Sequence, residues 1–327
     1  MEKITRYWIL CLLLLIAGTG QAQDLKKVAQ TGLQFLKVDL SARPAAMGGA
    51  YTMVGDDASA MFYNPAGMAH MTSGTNIFAT RTNWIADIAY TAGAASKTIG
   101  NIGTFGVNFI SCDYGEIIGT RVSSDVSGFE ETGNVDVGAY ALGVSYARRL
   151  SNKFTIGGQV KYAYQHLGES TLSEDETVTN EVGGVAFDFG TMFYPGFRSF
   201  RLGMSVRNFS QQFKYAEEGF QLPLTFRIGF AMDVLDLVGD HNNSFVLALD
   251  AIHPRDYTER IHVGGEYWWM NMLALRAGYK TNYDEESLSF GFGFRQAFSG
   301  INLKIDYAYS PMDRFSNVNR FTIGASF

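Results

Sequence analysis

Residues 153–166 read KFTIGGQVKYAYQH, with apolar side chains at every second position. Phe154, Ile156, Val160, Tyr162 and Tyr164 share one face of an extended chain, and Thr155, Gln159, Lys161 and Gln165 share the other. Side chains in a strand alternate between faces, so a period of two predicts a strand with two different surroundings. Residues 301–309 repeat the pattern, with Ile301, Leu303, Ile305, Tyr307 and Tyr309 against Asn302, Lys304 and Asp306. Residues 200–208 do the same, with Phe200, Leu202, Met204 and Val206 against Arg201, Ser205 and Arg207. Carried along the chain, the alternation predicts fourteen strands, near 76–82, 86–95, 102–112, 136–149, 153–166, 181–194, 200–209, 223–234, 244–253, 260–269, 272–280, 287–296, 301–309 and 319–327. Many run about ten residues, the length a tilted strand needs to cross a bilayer.

The connections alternate in length. Segments 113–135, 167–180 and 210–222 are long, and the first two are acidic. Between them lie short turns at Leu150-Ser151-Asn152, at 195–199 and at Met270-Asn271. Long external loops alternating with short periplasmic turns are the pattern of an outer-membrane barrel whose N-terminus is periplasmic. The 235–243 connection is longer than an ideal periplasmic turn. Aromatic residues make up 14% of the chain, charged residues only 18%, and glycines number 36, which fits a large antiparallel β structure. Tyr267, Trp268 and Trp269, with Phe193 and Tyr194, stand at strand ends as an aromatic girdle would. Phe321, Ile323 and the terminal Phe327 resemble the signal read by bacterial barrel-assembly machinery. The soluble alternative, a sandwich or propeller, would turn these apolar faces inward.

The chain opens with a basic region at Lys3 and Arg6, a short apolar run over 8–16, and Gly20-Gln21-Ala22 as a small-residue cleavage site. Residues 1–22 therefore read as a signal peptide, cleaved near Ala22. Leu10 before Cys11 makes a poor lipobox. The remaining cysteine, Cys112, has no partner for an intrachain disulfide. No later run of about 18 apolar residues suggests a helical span. A net charge of −6 argues against nucleic acid as a partner.

Reversing the parity gives the inward face. Arg201, Arg207, Arg227, Asp250, His262, Glu266, Arg276, Arg295, Lys304 and Asp306 fall there. Charges of both signs on neighbouring strands can pair and hold register. That is the preferred reading of the network of Arg227, Asp250, His262, Glu266, Arg276 and Arg295; the alternative is a selective lining or ligand site with Arg227, Asp250, Glu266 and Arg276 at its core. Three strands present small inward residues instead: Ala139, Ala141, Gly143 and Ser145; Ser289, Gly291 and Gly293; Thr322, Gly324 and Ser326. Something can lie against that wall, or the lumen is open there.

Residues 23–74 precede the first strand and lack the barrel pattern. Within them stands MGGAYTMVGDDASAMFYNPAGMAH, residues 47–70. Asp56 or Asp57 can cap a helix over 58–63. That helix must stop at Asn64, because Pro65 disfavours helical backbone at the residue before it. Pro65 can then start a second turn. Gly48, Gly49 and Gly67 allow close backbone approach. A small-residue unit of this size fits inside a fourteen-stranded lumen as a hatch or plug, with Met47, Gly48, Gly49, Asp56, Asp57, Asn64, Pro65 and Ala66 as its motif. The alternative is a periplasmic appendage.

FLKVDLSARPAAMGGAYTMVGDDASAMFYNPAGMA, residues 35–69, resembles the N-terminal segment of the PorV/PorQ family, which is related to FadL-type outer-membrane transporters. HVGGEYWWMNMLALRAGYK, residues 262–280, is similar to the family's C-terminal pattern, and Asn64-Pro65-Ala66 matches the NPA element of FadL-like hatches. The resemblance implies a fourteen-stranded barrel, 75–327, with its N-terminal segment in the lumen. It also implies a place in type IX secretion, with translocon, cargo or surface-attachment subunits as partners of loops 113–135 and 167–180. The competing expectation is FadL-like transport of hydrophobic small molecules; Gly157-Gly158 and the glycines of the twelfth strand could mark a strand kink for it, but packing against the plug is the preferred reading of them. An enzyme needs a nucleophile, a histidine base and an orienting carboxylate. Of five histidines, only His262 falls inward, and no serine in a nucleophile setting accompanies it. No cofactor or metal site is expected.

Overall fold

A computed structural model describes residues 30–327, apart from residues 73, 125, 174–175, 216–217 and 240–241. The leader read over residues 1–22 lies outside the described residues. Among the described residues, fourteen strands close into one antiparallel barrel. They are β1 (Thr75–Asn83), β2 (Ala89–Ile99), β3 (Gly103–Asp113), β4 (Gly138–Arg149), β5 (Phe154–Ser173), β6 (Glu176–Phe193), β7 (Arg201–Ser210), β8 (Thr225–Asp233), β9 (Ser244–Pro254), β10 (Arg260–Trp269), β11 (Leu273–Lys280), β12 (Leu288–Phe298), β13 (Ile301–Ser310) and β14 (Val318–Ser326). Each pairs with its sequence neighbours, and β1 closes on β14 in register from Asn76↔Ser326 to Asn83↔Asn319. Closure leaves no open sheet edge, which is the condition for strand backbone to sit in hydrocarbon.

The alternation sorts the faces as the sequence suggests. Val107, Leu142, Val144, Val160, Leu275 and Phe292 are exposed on the outer wall, while Asn108, Ser145, Gln159 and Arg276 are buried inside. Apolar faces turned outward exclude the soluble sandwich. The protein is an integral outer-membrane barrel, crossing the membrane with strands.

Several local expectations change. Segment 167–180 is not a loop, because β5 and β6 continue as a ladder through it, with register shifts between His166/Glu169 and Thr171/Ser173. Beyond the lipid band both faces meet water, so hydrogen bonding persists after the apolar period has vanished. Segment 113–135 holds its own hairpin, Ile118–Val122 against Phe129–Asn134. Strand β2 starts later than expected, because Ala86 and Asp87 adopt φ of 54° and 59° in the turn before it. Residues 210–222 form the short pair Phe213–Lys214 and Gly219–Phe220, where Phe213, Tyr215 and Phe220 stack. The long 235–243 connection begins within a 3-10 turn, Val234–Leu237, capped by the Asp233 carboxylate. Trp268 is not a girdle residue: parity turns it inward, 5% exposed, under the Arg276 and Arg295 guanidiniums. Tyr194 likewise leaves the girdle and packs on His70, with ring centroids 4.9 Å apart. No kink marks Gly157-Gly158 or the glycines of β12, where pairing is continuous on both sides.

Residues 30–72 lie within the barrel. They contain a 3-10 turn (Gln34–Lys37), helix α1 (Ala42–Ala46) and two further 3-10 turns (Ala58–Phe62 and Pro65–His70). Thr31 bridges Gln221 and donates to Asp256 Oδ2 at 3.0 Å, at the long-loop end. His70 Nε2 reaches Thr155 Oγ1 at 2.9 Å, at the short-turn end. The segment therefore runs the height of the barrel. Phe35, Met47, Tyr51, Met53, Met61 and Met68 are buried along it.

Two measurements test this architecture. The folded protein should migrate faster unboiled than boiled in a denaturing gel. Val144→Arg, which puts a charge on the lipid face in the middle of β4, should cost about 2–4 kcal/mol in denaturant titrations of the bilayer-inserted barrel. An unchanged midpoint would place β4 away from lipid.

Candidate luminal site

The luminal segment is shaped by two caps. The Asp57 carboxylate accepts from Ser59 N at 3.0 Å and starts the Ala58–Phe62 turn. Asn64 Oδ1 accepts from Ala66 N at 3.1 Å and starts the next turn, with Pro65 at its first position. Asn64 Nδ2 donates to Thr52 O at 2.9 Å and to Thr191 O at 3.2 Å. One side chain thus joins two parts of the segment to β6.

The wall beneath the segment carries glycines in cross-strand pairs. Gly264 and Gly278 are directly opposite on β10 and β11. A Cβ on Gly278 would lie 2.0 Å from Gly48 N, and one on Gly264 would lie 2.5 Å from Met47 O. Gly157 and Gly190 are opposite on β5 and β6. There a Cβ would meet Ala66 N at 2.4 Å or Asn64 Oδ1 at 1.8 Å. Gly203 and Gly229, opposite on β7 and β8, face side chains of the segment: a Cβ would lie 2.8 Å from Met53 Sδ or 2.7 Å from Thr52 Cβ. Gly48 and Gly49 themselves take φ of 63° and 72°, which glycine adopts without strain. The small-residue wall read from sequence is covered at Ser289, Gly291 and Thr322, while Gly324 and Ser326 line an open cavity. Thr322 Oγ1 accepts from Ala42 N at 2.9 Å, and a Cβ on Gly291 would fall 2.5 Å from Ala46 Cβ.

Above this floor the charges form a closed ring. Arg43 donates through Nε and Nη2 to the two oxygens of Glu266, both at 2.7 Å. Arg276, opposite Glu266 in register, donates to Glu266 Oε2 at 2.6 Å and to Asp306 Oδ1 at 2.8 Å. Lys304 lies 3.8 Å from Asp306 and 2.9 Å from Asp57. Arg43 Nη1 lies 3.9 Å from Asp57 and completes the circuit, while donating to Asp56 at 2.7 Å. Three cations and three carboxylates alternate, and two of the six come from the segment. Gly293 makes room, since a Cβ there would lie 2.7 Å from Arg276 Nη1 and 2.4 Å from Asp306 Oδ1.

The remaining sequence-read charges sit elsewhere. Asp250 Oδ2 accepts from the backbone of Tyr51 and Thr52, both at 3.1 Å. Arg227 donates to Gly49 O at 3.0 Å and lies 3.9 Å from Asp250. His262 reaches Tyr283 OH at 3.0 Å. Arg295 stays outside the ring. It donates to Asn271 O at 3.1 Å and stacks on Trp268. The six residues read as one network thus divide into a ring pair (Glu266, Arg276), a group under Gly49–Thr52 (Arg227, Asp250, His262) and a separate arginine.

The ring forms the inner wall of a cavity of about 320 Å³. Arg201, Arg295, Trp268 and Asn271 line its other side. Asp56, Thr72 and Asn271 are exposed there, so the cavity opens at the short-turn end. Burial alone would raise the Asp57 carboxyl, but the Lys304 ammonium and the Arg43 guanidinium reverse this and hold it below the usual carboxylate range. Burial, with help from Arg149 and Arg201, lowers the His70 imidazole to about 4, so it is neutral at physiological pH.

Sequence reading placed Glu266, Arg276, Lys304 and Asp306 on the inner face but missed Arg43. Its only signal was a charge between Ala42 and Pro44 in a small-residue stretch. It also missed Lys280, which pairs with Asp39 at 3.0 Å, and the Lys161–Asp188 pair at 2.7 Å. The residues of the barrel-assembly signal, Phe321, Ile323 and Phe327, are exposed on the outer wall or at the chain end.

A family model described as type IX secretion system protein PorV matches residues 21–251. The chain belongs to the PorV family. Membership assigns it to the outer-membrane proteins associated with type IX secretion, a non-enzymatic kind of protein. Among solved structures, this PorV-family barrel is similar to the Ralstonia pickettii toluene transporter TbuX, at 13% identity and a TM-score of 0.57 over 88% of this chain and 98% of that one. The Pseudomonas putida toluene transporter TodX is similar at 12% identity and a TM-score of 0.58, over 88% of this chain and 96% of that one. A Pseudomonas aeruginosa FadL homologue gives 12% and 0.53, over 88% and 98%. At these identities the likeness is one of fold, a FadL-like barrel. No curated protein matches the chain.

Glu266→Gln should cost about 3–5 kcal/mol, because it removes the carboxylate shared by two buried guanidiniums. The readout is the temperature at which the compact gel form is lost. Gly278→Val should displace the segment and open residues 47–49 to protease while the barrel remains assembled. Asp57 has a lowered pKa in the fold, so its contribution is complete at neutral pH and should fade progressively below about pH 5. Protease protection of the segment, followed against pH in wild type and Asp57→Asn, checks that sign.

Proposed function

We propose that this PorV-family barrel is a non-enzymatic subunit that meets secretion partners through its outer loops while its lumen stays shut. Residues 30–72 act as a fixed plug. The observation that supports the reading is a luminal segment tied to the wall by charge pairs, in a member of a secretion family. Six glycines in three pairs admit the segment, and a closed ion ring ties it to β10, β11 and β13. A path for hydrophobic solutes needs an uncharged route and an opening in the wall. Continuous pairing at Gly157-Gly158 and along β12, with a polar lumen, speaks against both.

The partner surface is the outer hairpin. Val122 is 93% exposed and Phe129 50%, in a segment that otherwise carries Glu116, Glu130 and Glu131. Apolar side chains that protrude beyond the membrane are suited to burial against another protein. Translocon, cargo or surface-attachment subunits are the partners of this reading. Phe321, Ile323 and Phe327 would be read by the barrel-assembly machinery.

The alternative, transport of hydrophobic small molecules, draws on the fold likeness to toluene transporters. Purification of tagged protein from native outer membranes separates the two. Co-purifying translocon or attachment subunits, lost on deletion of residues 118–134, support the first; bound lipid without protein partners supports the second. Deleting residues 47–69 should leave an assembled barrel with raised permeability to small solutes in liposome-swelling assays. Unchanged permeability would sink the plug.

A further inference from the structure

The cavity at the short-turn end is lined by two arginines that are not members of the ion ring. Arg201 donates to Met53 O at 2.5 Å and to Ser199 O at 3.3 Å. Arg295 donates to Asn271 O at 3.1 Å and to Asn271 Oδ1 at 3.4 Å, and lies 4.5 Å from the Trp268 ring centroid. Among the described residues neither makes an ion pair within 4.0 Å, whereas the neighbouring Arg43 and Lys304 do. Neutral acceptors and an aromatic face thus fix both guanidiniums without cancelling their charge. Both are partly exposed at the cavity wall.

We propose that this cavity binds a carboxylate that enters from the periplasm, with Arg201 and Arg295 as its cationic recognition groups. A guanidinium fork matches the two oxygens of a carboxylate. The volume of about 320 Å³ lies at the small end of ligand pockets, so the ligand is a short acid or a chain terminus rather than a folded surface. Asp56, 54% exposed at the same wall and held by Arg43, repels a second negative charge. The site therefore favours a monoanion over a dianion. Asn76 and Asn302 share the lining with Ile77, Phe78 and Val246, and it is the small volume that limits the length of any apolar tail. This inference does not depend on the secretion partners or on the segment acting as a seal.

Trp268 offers the readout, since it lines the cavity and stacks on Arg295. The full-length protein in detergent is titrated by tryptophan fluorescence with acetate, succinate, diglycine and diglycine amide. Saturable change with acetate or diglycine, at least tenfold weaker with diglycine amide and weaker with succinate than with acetate, is expected. Acetate without diglycine identifies a site for free acids; diglycine binding more tightly identifies one for peptide C-termini. Arg295→Gln and Arg201→Gln, each verified as heat-modifiable, should weaken binding at least tenfold, with the loss for Arg295→Gln read by calorimetry because its stacking changes the fluorescence. Arg314→Gln, on the outer loops, should leave it unchanged. No saturable binding, equal binding of the amide, or unaltered affinity in both arginine variants would overturn the site.

Discussion

Glu266 cannot stand alone inside this barrel. A buried carboxylate is tolerated only when its charge is met at close range and its oxygens are hydrogen-bonded. Arg276 meets it from the next strand and Arg43 from the N-terminal segment. That requirement propagates. Arg276 also serves Asp306, Asp306 draws in Lys304, and Lys304 reaches Asp57. Asp57 in turn starts the turn that leads to Asn64 and Pro65. The position of the segment and the charge balance of the wall are therefore one condition rather than two.

Glycine makes the contact geometrically possible. A strand wall normally presents side chains that hold another backbone at a distance. At three places, opposed glycines remove that layer; at two of them the segment's main chain lies directly on the ladder, and at the third its side chains do. The NPA turn rests on Gly157 and Gly190, Thr52–Met53 on Gly203 and Gly229, and Met47–Gly48 on Gly264 and Gly278. At these points the segment and the wall are in van der Waals contact. That contact accounts for the burial of Met47, Met53 and Ala66 in the middle of a membrane barrel.

The barrel was legible in the sequence because each strand separates two unlike surroundings, lipid and lumen, and so alternates over its whole length. Fourteen alternating runs marked fourteen strands, and parity placed Glu266, Arg276 and Asp306 on the inside. The same signal faded where lipid stops, which is why the outer ladder of β5 and β6 read as a loop. Trp268 was misread because a cluster of three aromatics suggests a girdle, although alternation must turn the middle one inward. Arg43 and the glycine pairs were hidden for a different reason. Their meaning comes from which strands become neighbours and from what the segment lays across them, and no local pattern carries that. The caps at Asp57 and Asn64 were readable, being local; their tertiary partners were not.

The seam of the barrel has a temporal consequence. Strands β1 and β14 are the first and last to be made, and their pairing closes the ring. Thr80 and Thr82 of β1 both donate to Leu40 O, and Thr322 of β14 accepts from Ala42 N. The residues that touch both lips of the seam thus belong to the stretch synthesised just before β1. Since the segment extends from one mouth to the other, a wall already shut would have to be threaded lengthwise. Enclosure during zipping avoids this, with the earliest part of the described chain serving as the mandrel on which the last strand pairing is laid.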